Sequence, residues 1–170
     1  PNQINFHTQS GVLNVTKKND LLTLNFPSRK PEVVETPQQL IDGLGKRPVE
    51  VLKSRDYFAV FQSEHEVLSI QPDFDILGQL DCLGIIITAA GQTSDFISRF
   101  FAPGAGIPED PVTGSAHCSL VPYWSEKLNK KDLHARQLSK RGGELFCQDL
   151  GDRVAIAGKA VTFATGTIYL

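Results

Sequence analysis

The stretch FFAPGAGIPEDPVTGSAH, residues 100–117, says most about how this chain folds and what it binds. Prolines restrict the backbone on both sides of Asp110, and Thr113, Gly114 and Ser115 lead directly into a segment with helical spacing. The first amides of a helix have no partner inside it, and the aligned peptide dipoles add partial positive charge at that end. The stretch therefore predicts an anion site at a helix start, with Asp110 beside it.

The segments around this stretch predict a sheet interrupted by one long helix. Apolar residues at 120, 121, 124 and 128 predict that helix over residues 115–128, although Pro122 would cost it a hydrogen bond. Apolar and β-branched runs between Gly and Pro turns predict strands, and two short segments with helical spacing predict further helices. The strands are predicted at residues 4–7, 12–15, 21–24, 49–53, 57–62, 84–89, 95–101, 135–139, 144–149, 153–157 and 161–170, and the short helices at 37–44 and 74–80. This order indicates an α+β fold, with a sheet or a partly closed barrel around the helix.

Composition and charge narrow the class of protein. With 170 residues, 41% hydrophobic and 21% charged, the chain is typical of a single globular domain, and no linker divides it. The 17 Lys and Arg against 19 Asp and Glu argue against nucleic acid or an anionic membrane as the main partner. The chain opens without the features of a signal peptide, and its three cysteines lack a Cys-x-x-Cys pairing. We therefore expect a cytoplasmic protein with reduced thiols.

Asp110 and the hydroxyls after it have two interpretations each. The carboxylate could accept from the first helical amides as an N-cap, or it could orient or protonate a substrate. Thr113 or Ser115 could cap the helix, and a capping hydroxyl can also turn toward a ligand. Gly114 lacks a Cβ, so a ligand oxygen could approach the main chain there. Glu109 is predicted to be a solvated loop carboxylate.

Several other chemistries are disfavoured by spacing. No Gly-Lys-Ser/Thr ending and no Gly-x-Gly-x-x-Gly is present, so nucleotide binding has little support. The four histidines lack zinc-ligand spacing, and we predict no metal. His117 and Cys118 are adjacent, and on a helix their side chains would point about 100° apart, which disfavours a nucleophilic pair. A hydrolase with Ser115 as nucleophile ranks low because no Gly-x-Ser-x-Gly surrounds it.

The motifs resemble those of the phenazine-biosynthesis PhzF-like family. The main one is residues 99–117, and three flanking pieces agree in order: Phe6-His7-Thr8-Gln9-Ser10-Gly11, Arg141-Gly142-Gly143-Glu144-Leu145 and Gly158-Lys159-Ala160-Val161. Together they extend over nearly all of this chain. The resemblance implies the diaminopimelate-epimerase-like fold, in which each of two lobes is a mixed, mostly antiparallel, β-barrel-like sheet wrapped around one central helix.

The resemblance also implies a function and assigns residues to it. Family members that catalyse reactions are cofactor-free isomerases or epimerases that move a proton on small amino- or carboxylate-bearing molecules, so we expect no cofactor. Asp110 would be the catalytic residue here and would contact the amino or hydroxyl group of the substrate. Gly114, Ser115 and Ala116 would bind its carboxylate at the helix start.

One departure from the family limits these expectations. The family's catalytic glutamate and a substrate-contacting histidine belong to motifs of the N-terminal lobe, which this sequence lacks. We therefore expect residues 1–170 to be a single C-terminal-type lobe that forms a homodimer or associates with an N-terminal-lobe polypeptide. The alternative is a non-catalytic module that binds small carboxylates or serves in assembly.

Overall fold

Eleven strands and four α-helices make up the part of the chain that the computed structural model describes, residues 3–8 and 11–168. The strands are β1 (Gln3–Thr8), β2 (Gly11–Lys18), β3 (Leu21–Pro27), β4 (Glu32–Val33), β5 (Glu50–Lys53), β6 (Tyr57–Val60), β7 (Ile85–Ala90), β8 (Phe96–Phe101), β9 (Asp132–Gln137), β10 (Gly143–Asp149) and β11 (Arg153–Lys159). The helices are α1 (Gln38–Leu44), α2 (Glu64–Ser69), α3 (Phe74–Leu77) and α4 (Gly114–Leu128), and a 3₁₀ turn spans Pro103–Ala105. The predicted α+β composition is confirmed.

All the strands belong to one mixed sheet with the order β1-β2-β3-β11-β10-β9-β8-β7-β6-β5-β4. Its pairs are antiparallel except for β6 with β7 and β8 with β9, which are parallel. Among the described residues, the end strands β1 and β4 do not pair with each other, so the sheet is open. The expected closure into a barrel-like sheet is therefore wrong, because the ladder of hydrogen bonds runs on from β11 to β3 and the outer hairpin β1–β2.

Helix α4 lies at the centre of one of two hydrophobic cores. Its residues 116–122 are all buried, and such an unbroken run means that every side of the helix is covered. Side chains that point from β5 to β11 toward α4 form this core, whereas α1, α2 and α3 pack on the opposite face of β7 and β8. The central strands are buried on both faces, which explains their continuous apolar sequence.

Pro122 is accommodated inside α4 by a contact from outside the helix. A proline has no N–H, so the carbonyl of Cys118, four residues earlier, loses its helical partner. The backbone N–H of Arg29 donates to that carbonyl at 2.8 Å. The predicted cost of this proline is therefore offset by the segment that follows β3.

Two elements, helix α2 and strand β4, were not predicted from the sequence, and one predicted strand is absent from the described part of the chain. Helix α2 begins with Ser63 as its N-cap, whose hydroxyl accepts from the N–H of Glu66, while the Glu66 carboxylate accepts from the N–H of Gln62. Ser-x-x-Glu is the sequence signature of a capping box, although the Glu66 carboxylate accepts here from the residue before the N-cap. Strand β4 is only two residues long, and residues 161–168 carry no strand. Residues 169–170 of that predicted strand, and Gln9 and Ser10 of the first flanking motif, lie outside the described residues.

The helices are too short to cross a bilayer. Within residues 3–8 and 11–168, none of them combines the length and the hydropathy that a membrane span requires.

Candidate functional site

Helix α4 begins at Gly114, one residue before the predicted start, and its first turn lacks a side-chain cap. Thr113 occupies the N-cap position, but its side chain makes no capping hydrogen bond. The amides of residues 114–116 therefore have no partner within the helix. Apart from the adjoining residues and the backbone of its own helix, a Cβ built on Gly114 would have no atom within 4 Å, so the main chain is open to an approaching group there. The helix start thus has the properties of an anion site.

Ser115 contacts an arginine from a distant hairpin. Arg55 lies in the turn between β5 and β6, and its Nη2 donates to Ser115 Oγ at 3.0 Å. The same guanidinium donates to both carboxylate oxygens of Asp56, at 3.2 and 2.9 Å. Asp56 is buried, whereas the Arg55 side chain is 34% exposed. A fixed positive charge therefore adjoins the free amides of α4, and the Ser115 hydroxyl hydrogen is left to donate elsewhere.

Asp110 does not cap the helix. Its Oδ2 accepts a short hydrogen bond of 2.6 Å from the hydroxyl of Thr113, and its backbone N–H donates to the carbonyl of Phe100 at 3.0 Å. Both capping interpretations of this loop are wrong, because the Thr113 hydroxyl points to Asp110 and the Ser115 hydroxyl accepts from Arg55. The half-buried carboxylate is therefore held at the helix start with its other oxygen, Oδ1, unengaged by the hydrogen bonds of the loop.

A buried glutamine at the end of β9 holds the same loop. Gln137 is 1% exposed, and its Oε1 accepts from the N–H of Thr113 at 2.8 Å. Its Nε2 donates to the carbonyl of Asp110 at 2.7 Å and to Thr113 Oγ1 at 3.1 Å. Strand β9 pairs in parallel with β8, whose last residue leads into this loop, so the sheet brings Gln137 under it.

Glu109 is not the solvated carboxylate that the sequence predicted. Arg99 of β8 donates to both of its oxygens, at 2.8 and 3.2 Å. The same arginine donates to the carbonyls of Val67 and Ile70, at the end of α2. Because both side chains are largely buried, at 11% and 22% exposed, Glu109 anchors the loop. It is therefore occupied by a structural ion pair.

The remaining reactive side chains near α4 face its core. His117 is fully buried, its Nδ1 lies 2.9 Å from the carbonyl of Thr113, and burial lowers its pKa to about 4. Burial raises the pKa of Cys118 above that of a free thiol. The imidazole and the thiol therefore lie in the core, whereas the Asp110 carboxylate lies beside the open helix start.

The predicted site residues all lie at the start of α4, but the Ala116 side chain is buried in the core. Asp110, Gly114 and Ser115 are half-buried around the start of α4, whereas the Ala116 side chain is 1% exposed and belongs to the core. Ala116 can offer a ligand only its amide. Arg141, the first residue of the Arg-Gly-Gly-Glu-Leu motif, lines a shallow groove with Lys140, Ser139, Pro111 and Glu109 on the flank of the loop. In the part of the chain that the structure describes, no group of three or more His, Cys, Asp or Glu side chains is arranged to hold a metal.

Sequence reasoning missed three residues that build this site. They are Arg55 from the β5–β6 hairpin, Arg99 from β8 and Gln137 from the end of β9. Arg55 lies 60 positions from Ser115 and Gln137 lies 24 positions from Thr113. No local spacing relates such residues, so only the pairing of the strands reveals them.

A family model, curated proteins and solved structures all relate this chain to phenazine biosynthesis-like proteins or to isomerases. The family model described as phenazine biosynthesis-like protein matches residues 1–166. A curated protein of Pseudomonas aeruginosa, named an uncharacterised isomerase, is 49% identical over 169 residues, which are 99% of this chain and 65% of that protein. The crystal structure of a PhzF-family phenazine biosynthesis protein from Enterococcus faecalis superimposes with a TM-score of 0.93 at 44% identity, over 100% of this chain and 66% of that one. A putative PhzC/PhzF protein from Clostridium difficile gives 0.91 at 46% identity, with the same coverage.

The coverage bears on how the chain is divided. The chain spans about 65% of the length of two curated relatives from P. aeruginosa, both named uncharacterised isomerases. That is more than one of two similar lobes would supply, so the expectation that the chain is the C-terminal lobe alone is not supported.

Proposed function

The chain belongs to the phenazine biosynthesis-like protein family, and from this we propose that it forms the carboxylate-binding part of a cofactor-independent isomerase or epimerase. The substrate would be a small metabolite that carries a carboxylate next to an amino or hydroxyl group. The names of the relatives support an isomerase of this general kind. The substrate and the division of labour within the site are our inference from the geometry.

The observation that carries the proposal is the uncapped start of α4 next to two side chains of opposite charge. The free amides of residues 114–116 and the Arg55 guanidinium would hold the carboxylate of the substrate, with the Ser115 hydroxyl as a further donor. Asp110 Oδ1 would accept from the amino or hydroxyl group of the same molecule. An anion at a helix N-terminus gains about 0.3–1 kcal/mol at an exposed site and up to about 2 kcal/mol when partly buried. The arginine adds a charge-assisted hydrogen bond.

The base for proton abstraction is the missing part of this site. A general base must come within hydrogen-bond reach of the proton that it removes. Of the nearby candidates, Glu109 is paired with Arg99 and His117 is buried against the carbonyl of Thr113. We propose that residues corresponding to the part of the relatives that this chain does not cover supply the second catalytic group.

Deuterium incorporation tests this proposal. The chain, joined to the part of the P. aeruginosa relative that it does not cover, is incubated in D₂O with a panel of small amino and hydroxy acids, and exchange at carbon is followed by NMR. We expect exchange in at least one compound and its loss in Asp110→Asn. Absence of both exchange and carboxylate binding in the joined protein would refute the catalytic proposal.

The absence of a free base among the described residues near Asp110 favours a second candidate, a non-catalytic module that binds small carboxylates. It predicts thermal stabilisation by small carboxylates that Ser115→Ala or Asp110→Ala reduces, with no exchange in any compound. The two candidates therefore differ in turnover and agree on binding. The third candidate is a hydrolase with Ser115 as its nucleophile. That chemistry needs a base at the Ser115 hydroxyl, and the side chain in contact with it is the Arg55 cation.

A further inference from the structure

The hydrogen bonds of Gln137 fix which way its amide group faces. A backbone N–H can only donate, so the N–H of Thr113 at 2.8 Å must face Oε1. A carbonyl can only accept, so the Asp110 carbonyl at 2.7 Å must face Nε2. The second hydrogen on Nε2 then goes to Thr113 Oγ1, at 3.1 Å. Both ends of this buried side chain are thereby assigned by backbone groups.

The orientation of Gln137 in turn directs the Thr113 hydroxyl. That hydroxyl has one hydrogen, and because its oxygen accepts from Gln137, the hydrogen is free to donate to Asp110 Oδ2, 2.6 Å away. Oδ2 therefore acts as an acceptor in this chain, and Oδ1 is the carboxylate oxygen left for a ligand donor. The chain of donors runs in one direction, from Gln137 through Thr113 to Asp110.

We propose that Gln137 is a positioning residue that acts through Thr113 to present Asp110 Oδ1 as the acceptor for the amino or hydroxyl group of the ligand. This inference rests on the proposed function, because it concerns the same carboxylate at the same helix start. The proposal makes a specific prediction about affinity. Replacing Gln137 should weaken the binding of ligands that carry a hydrogen-bond donor next to their carboxylate, and it should leave the binding of carboxylates without such a donor almost unchanged.

The loop offers a matched control for a merely structural role. Ser139 also ties it down, since its Oγ donates to the carbonyl of Pro111 at 2.8 Å and accepts from the N–H of Gly142 at 2.9 Å. This second tether makes no contact with the carboxylate of Asp110. If looseness of the loop were all that mattered, removing either tether would have the same effect on binding.

The experiment compares two probes, L-alanine and propionate, by NMR titration of the chain as it stands. Alanine has an ammonium group where propionate has hydrogen, so the ratio of their dissociation constants reports on Asp110. We expect Gln137→Met and Thr113→Val each to lower the preference for alanine about 10-fold, the size of one charge-assisted hydrogen bond. Propionate affinity should stay within about 2-fold, a difference well below one hydrogen bond. Ser139→Ala should leave the preference unchanged, and Thr113→Ser, which keeps the hydroxyl, should retain it.

Each outcome decides the inference. An unchanged preference in both Gln137→Met and Thr113→Val overturns it while leaving the proposed function standing, as does an equal loss in Ser139→Ala. If Gln137→Met fails to fold, Thr113→Val against Thr113→Ser decides, because both keep the backbone N–H that Gln137 accepts. If neither probe binds the unaltered chain, the proposed function fails, and the inference that rests on it fails too.

Discussion

Replacing Arg55 by alanine removes the charged partner of a buried carboxylate. Asp56 is 2% exposed and receives two hydrogen bonds from the guanidinium, at 3.2 and 2.9 Å. Ser115 Oγ loses its donor in the same variant. The substitution therefore leaves an unpaired carboxylate in the protein interior, which is among the more costly single changes.

The magnitude follows from the exposure of the two partners. Breaking a fully buried ion pair by removing one side costs about 3–5 kcal/mol. The Arg55 side chain is 34% exposed, so water can replace part of what it donates, and we expect a loss of about 2 kcal/mol in the free energy of unfolding. For a chain of this size, that loss corresponds to a melting temperature lower by about 4–8 °C.

Urea denaturation with a matched surface control measures this effect. Lys30→Ala breaks the ion pair between Lys30 and Glu126, whose side chains are 64% and 66% exposed, and should change the free energy of unfolding by less than about 0.5 kcal/mol. Arg55→Lys keeps the charge but loses the fork that binds both oxygens of Asp56, so its stability should lie between those of Arg55→Ala and the unaltered chain. If Arg55→Ala is no less stable than Lys30→Ala, the buried ion pair does not hold this hairpin to α4 and the reasoning is refuted.

Two further predictions concern α4 and its surroundings. His117 stays neutral in the folded chain down to about pH 4, whereas the unfolded chain takes up a proton at this residue below about pH 6.5. The free energy of unfolding should therefore decrease as the pH is lowered from about 6.5 to about 4. His117→Gln should lose this dependence, worth about 3 kcal/mol at pH 4, and parallel stability curves for the two proteins would contradict the assignment. A Cβ at Gly84 would lie 2.2 Å from Phe100 Cζ, so Gly84→Ala should cost about 1–3 kcal/mol in thermal unfolding. Gly158→Ala, where the nearest atom would be 3.8 Å away, serves as its control, and equal stabilities of the two variants would rule out the clash.

Local patterns predicted most elements and the place where the long helix begins. The Pro-rich loop before α4 and the helical spacing after it are contained within residues 100–128, so the sequence placed Asp110, Gly114 and Ser115 at one helix start without knowledge of the sheet. Helix α2 was missed although its Ser-x-x-Glu pattern was present, because its six residues are too few to establish a helical period.

The features that the sequence did not predict depend on contacts between strands that are far apart in the chain. Gln137 becomes a partner of Thr113 only because β9 pairs in parallel with β8, and the Ser98–Gln137 register sets its place under the loop. In the sequence, Arg55 is a residue of the short turn between two predicted strands. Its contact with Ser115 arises from the packing of the β5–β6 hairpin against α4. The openness of the sheet is likewise fixed by the pairing of β3 with β11, which no single strand encodes.

The most direct test of the central claim is a ¹⁵N NMR titration of this chain with propionate, which reports on each backbone amide. We predict saturable shifts that are largest at the amides of Gly114, Ser115 and Ala116 and that weaken in Arg55→Ala. Shifts confined to the groove beside Lys140 and Arg141, or no saturable shift at the start of α4, would contradict the claim that this helix start binds a carboxylate.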